Sequence, residues 1–230
     1  QAQALFNSAK RLAVVANVGP LRLPTNKAQY KNPSHLKPQS LFSHNDQQNT
    51  WQAFAPEGAT RGWGGHMGDL LASLNGSEAR FTAVSAAGNT VWLNGTDVRQ
   101  YQLSTSGAIR MGGFHWEDHQ AFGSSQVQTA LEAMVVKSRT AHVLEKDVAA
   151  VSQRSINAER TLRAALPSAA QAPWSTTSTK FYDPLTDAAV DNPLALQLQV
   201  VARMIAAAGA GLPVKRQVFF VSLGSFDTHD

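Results

Sequence analysis

Three apolar runs restrict this chain more than any other feature: residues 12–18 (LAVVANV), 80–87 (RFTAVSAA) and 217–223 (QVFFVSL). Each is short, close to continuously apolar and rich in β-branched or aromatic residues. That is the pattern of a strand covered on both faces, as in a parallel sheet. Between the runs lie segments with helical spacing: 45–54, 63–74, 126–165 as one or two helices, and 194–208. Met67, Leu70, Leu71 and Leu74 share one face of the second segment. Shorter strand-like pieces at 89–93 and 97–103 flank the turn Asn94-Gly95, and 167–191 reads as a polar loop. Apolar strands alternating with helices predict an α/β domain: a mostly parallel sheet with helices on both faces, spanning 1–230 as one unit.

Composition narrows the function classes. At 230 residues the chain is long enough for a full core. It has no cysteine, which excludes disulfides, thiolate metal sites and a cysteine nucleophile. The net charge is +4, but lysines and arginines are scattered, with only Lys10-Arg11 and Lys215-Arg216 adjacent, and do not form the clustered footprint that nucleic acid requires. No run reaches the roughly 20 apolar residues of a bilayer span. We therefore expect no nucleic-acid partner and no membrane span.

Polar groups gather in two places. Ser43, His44, Asn45, Asp46, Gln47 and Gln48 fall at the start of a helix. A serine at a helix N-terminus sits in a field that favours an alkoxide or a bound anion, and His44 and Asp46 are of the types that serve as acid, base or metal ligand. The plainer reading is an N-cap with polar decoration. The second cluster is Asp227-Thr228-His229-Asp230, directly after the third apolar run. A carboxylate and an imidazole after a buried strand and a flexible Gly224-Ser225 suit zinc, manganese or calcium. Two further stretches favour structural readings. Gly62-Trp63-Gly64-Gly65-His66 lacks the Lys-Ser/Thr of a phosphate loop and reads as a tight helix entry with Trp63 packed in the core. His115 and His119, flanking Glu117 and Asp118, lack the H-E-x-x-H order and read as a solvated helix start.

Four segments, LAVVANVG, LFSHNDQQNTWQ, RGWGGHMGDLL and VFFVSLGSFDTHD, resemble in order and spacing the bacterial "domain of unknown function 1501" family. That family is grouped with the alkaline phosphatase and sulfatase superfamily. The resemblance implies a three-layer α/β sandwich of alkaline-phosphatase-like type, incomplete at both ends, with a metal site at the carboxyl ends of the strands. It implies that Asp227 and His229 are metal ligands, and that Ser43 lies in the region of the hydroxyl nucleophile with His44 and Asp46 beside it. The C/S-x-P-x-R motif of sulfatases is absent; His66 and Ser225 stand where the family has Arg and Gly. On this resemblance the chain is an internal fragment of an exported, periplasmic or secreted protein, with its export signal before Gln1. The implied activity is metal-dependent hydrolysis of small-molecule or polymeric phosphate or sulfate esters. The alternative is a non-catalytic exported binding or assembly protein that retains the fold.

Overall fold

The computed structural model describes residues 6–15, 18–55, 58–110 and 120–224. The chain forms two compact units, Gln1–Thr60 and Arg61–Asp230.

In the first unit Phe6 and Asn7 are helical, and two further helices follow, α1 (Lys27–Lys31) and α2 (His44–Ala53). Asn26 and Gln29 close a reciprocal capping box on α1. Ser43 caps α2, and Phe54 ends it in the left-handed conformation. Among the described residues of the strand expected at 12–18, none is in a strand: 11–15 and Val18 have no regular secondary structure. Val14 and Val15 are 72% and 76% exposed. β-branched composition favours a pleated, covered surface, but an isolated run has no ladder to join, and propensity alone does not supply one.

The second unit is mixed α/β. Its sheet has the order β3-β2-β1-β6, from β1 (Ala83–Ser85), β2 (Tyr101–Ser104), β3 (Gly107–Ala108) and β6 (Val218–Phe220). β1 runs parallel to both β2 and β6, and β3 turns back antiparallel on β2. Residues alternate between the two faces, as a pleated strand requires. Val84, Phe219 and Leu103 pack with Leu162, Val200, Met204 and Ala207. These come from α5 (Val143–Ala165) and α6 (Pro193–Ala210). Ala83, Val218 and Phe220 pack on the other side with Leu71 of α3 (Trp63–Leu71), Leu93 and Val98. Helices thus cover both faces of a mostly parallel sheet, as the alternation of apolar runs predicted.

Local chemistry sets the boundaries. Asn192 accepts from the Ala195 backbone and Pro193 occupies the first turn of α6, while Gly211, at φ 151°, ends it. Pro193–Ala210 is the one described helix long and apolar enough to cross a membrane. Here it buries Val200, Met204 and Ala207 and carries Arg203 in its midst. The segment 126–165 resolves into α4 (Ser125–Val136) and α5, tied by Arg160 donating to both Glu132 oxygens.

Several elements differ from expectation: α3 ends at Leu71 and a 3-10 segment, Ala72–Phe81, follows it, so the strand expected at 80–87 is confined to Ala83–Ser85. Residues 91–93 form a 3-10 turn capped by Thr90, not a strand. The polar stretch 167–191 contains an exposed hairpin, β4 (Lys180–Asp183) with β5 (Ala188–Asp191). Asp183 organises its turn by accepting from Leu185 N–H and Thr186 Oγ1.

Candidate functional site

β1, β2 and β6 are parallel, so their carboxyl ends open on one edge of the sheet, where α/β folds present ligands. After β1, the buried Ser85 is held locally: its hydroxyl donates to Gly88 C=O at 2.6 Å and accepts from Ala87 N–H. After β6, the Gln197 side chain of α6 grips the chain from both sides. Its Oε1 accepts from Ser222 N–H at 2.8 Å, and its Nε2 donates to Ser222 C=O at 3.0 Å. A side-chain amide thereby pairs with both backbone groups of Ser222 and holds the chain as it leaves β6. This role of Gln197 has no sequence signature, because an amide within an apolar helix gives no hint of its partner 25 residues away.

Asp227 and His229 follow this clamped segment in the chain and lie outside the described residues, as do His115, Glu117, Asp118 and His119. No group of three or more His, Asp or Glu side chains able to hold a metal occurs among the described residues. In the first unit, the Ser43 hydroxyl accepts from Asp46 N–H at 3.3 Å, the capping bond expected from the sequence. Asp46 is buried and His44 exposed.

The glycine-rich stretch is the packing device expected, with one difference: the glycines are buried rather than the tryptophan. A side chain at Gly62 or Gly65 would meet the backbone of residues 91–95, and one at Gly64 the Trp92 ring. Trp63 lies half-exposed and edge-on to Trp92, with ring centroids 4.8 Å apart. His66 is exposed, 3.8 Å from Asp69. Asp69, four residues past Gly65, holds the loop that α3 packs against. Its carboxylate accepts from the backbone N–H groups of Thr96, Asp97 and Val98. Burial pushes the Asp69 carboxyl up, but the three N–H donors and the nearby His66 outweigh it and hold it below the usual value.

A second feature was hidden by the apolar pattern of α6. Arg203 is 3% exposed. Its Nε donates to Pro167 C=O at 2.7 Å, and Nη1 and Nη2 donate to Ser106 C=O at 3.3 Å. Burial lowers its pKa. It lines a cavity of about 570 Å³ beyond the carboxyl end of β2. In the neighbouring core, burial, reinforced by Glu159 and opposed by Arg80, pushes the Tyr101 hydroxyl up to about 12, so it stays protonated near neutrality.

Comparison of the chain with protein-family models, with curated proteins and with solved structures finds no match.

Proposed function

We propose that this chain belongs to an exported metal-dependent hydrolase of phosphate or sulfate esters, with an alkaline-phosphatase-like three-layer architecture. The observation that supports it most is the exit of β6. This strand is parallel to β1 and contributes to the packing on both faces, its exit is held by Gln197, and Asp227-Thr228-His229 follow it in the chain. A carboxylate oxygen and an imidazole nitrogen form a donor set that suits zinc, manganese or calcium. When bound, such a metal supplies charge stabilisation and an activated hydroxyl or water. The protein's own part is to supply Asp227 and His229 as ligands, a few residues beyond the point where Gln197 holds Ser222. Ser43, His44 and Asp46 are the catalytic candidates, with Ser43 as nucleophile and His44 and Asp46 as acid–base groups.

Metal content and turnover of a phosphate- and sulfate-ester panel test this reading on the full-length protein. Asp227→Ala and His229→Ala are expected to lose metal together with turnover. Ser43 is tested by a pair of variants, because its hydroxyl already caps α2. Ser43→Asn keeps a capping oxygen and removes the hydroxyl, whereas Ser43→Ala removes both. A nucleophilic Ser43 requires both variants to be inactive while only Ser43→Ala loses thermal stability. A full-length protein with neither bound metal nor turnover rejects the hydrolase reading and leaves the non-catalytic exported binding protein.

A further inference from the structure

Arg203 is a buried guanidinium whose acceptors, Pro167 C=O and Ser106 C=O, are neutral. These contacts engage three of the five N–H donors that a guanidinium carries. The cavity it lines is also lined by Arg110 and Arg163, and by no carboxylate among the described residues. Glu159 does not line the cavity but is ion-paired with the other two cations, 3.1 Å from Arg163 Nε and 3.8 Å from Arg110 Nε. Ser168 adds a hydroxyl, while Ile109 and Leu166 add an apolar surface. Gly107, at φ 133°, brings the β2–β3 turn in close. A side chain there would run into Leu166 Cδ2 at 2.9 Å and approach Arg203 Nη2 at 3.7 Å.

We propose that this cavity binds a small organic phosphate, with the phosphoryl oxygens on Arg203, Arg110 and Arg163 and the organic body against Ile109 and Leu166. The chemistry matches on three counts. Guanidinium groups form paired, charge-assisted bonds with phosphate oxygens. A buried cation held by neutral carbonyls gains most from an anion, because attraction is strongest where water is excluded. The volume of about 570 Å³ exceeds what a lone phosphate needs and falls within the ~300–1,000 Å³ of small-molecule sites. Burial also lowers the Arg203 pKa, as expected for a cation awaiting a counter-charge. This binding needs neither metal nor turnover, so it is scored separately from the hydrolase reading.

The probe is phenyl phosphate, titrated calorimetrically into the full-length protein with a chelator present and ionic strength held constant. Inorganic phosphate, phenyl sulfate and benzoate serve as the comparison arms. Saturable binding of phenyl phosphate, tighter than inorganic phosphate and benzoate, is expected. Phenyl sulfate binding as tightly would overturn the preference for phosphate. Arg203→Lys keeps the charge and loses the fork, and is expected to weaken binding by about tenfold or more. Arg110→Gln, at a more exposed position, is expected to weaken it in the same direction and decides the matter if Arg203→Lys does not fold. No saturable binding, or binding unchanged in the folded variants, overturns the proposal.

Discussion

Asn75 joins the approach to β1 to the approach to β6, and its removal should cost more than that of any other described asparagine. Its side chain is 3% exposed and uses its full hydrogen-bonding capacity. Nδ2 donates to Thr82 Oγ1 at 2.8 Å and to Arg216 C=O at 2.7 Å. Oδ1 accepts from Lys215 N–H at 2.7 Å and Arg216 N–H at 3.1 Å. Asn75→Ala strands two backbone donors, a carbonyl and a hydroxyl. Each buried group left unsatisfied costs ~1–3 kcal/mol, and water entering the vacated space recovers part, so a net loss of ~3–5 kcal/mol is expected. That is a large share of the ~5–15 kcal/mol that holds a domain together. At ~2–4 °C per kcal/mol for a domain of this size, Tm should fall by ~6–20 °C. Urea unfolding followed by circular dichroism measures the loss directly. The control is Asn32→Ala, whose exposed Oδ1 accepts only from Ser34 N–H at 2.9 Å; a change within ~0.5 kcal/mol is expected there. An Asn75→Ala loss below ~1 kcal/mol would refute the reasoning that these four bonds hold the two strand entries together.

Two glycines should respond oppositely to alanine. At Gly65 the new methyl meets the Asn94 carbonyl and the Gly95 nitrogen, backbone atoms that cannot rotate away, so Gly65→Ala should destabilise by ~1–3 kcal/mol. At Gly209, inside α6 with nothing within 4 Å, Gly209→Ala should stabilise by ~0.4–1 kcal/mol; equal effects at the two sites in urea unfolding would contradict the packing described. For Asp69, a folded pKa held below the usual value makes the carboxylate stabilising above the unfolded value of 3.8. That contribution is lost as pH falls through the lowered folded value. The stability gap between wild type and Asp69→Asn should therefore be widest near neutrality and narrow below about pH 4, and a gap independent of pH would contradict the three N–H contacts.

The elements governed by short-range rules were legible in the residues themselves. The cap at Ser43, the apolar run that becomes α6 and the helical spacing of α5 depend on neighbours within a turn or two; in α3 the expected apolar face is largely exposed at Met67 and Leu70, and Gly64, Gly65 and Gly68 are the buried positions. The middles of the runs at 80–87 and 217–223, Ala83–Ser85 and Val218–Phe220, were legible as strands because both their faces are covered, which leaves a continuous apolar pattern. The run at 12–18 has a similar composition and no ladder among its described residues, since pairing depends on a neighbour that composition does not specify. The exposed hairpin Lys180–Asp183 with Ala188–Asp191 escaped for the opposite reason: without a buried face it leaves no hydrophobic alternation. The hydroxyl, imidazole and carboxylates of the candidate site could be named from residue type and position alone. Asn75, Asp69, Gln197 and Arg203 could not be assigned their parts that way, because each acts on backbone 25 to 141 residues distant. Local sequence thus determined which segments are helical and which residues carry chemistry. Only the tertiary structure decided which polar side chains serve the scaffold and which guanidinium is buried beside a cavity, because those roles depend on contacts between segments far apart in the chain.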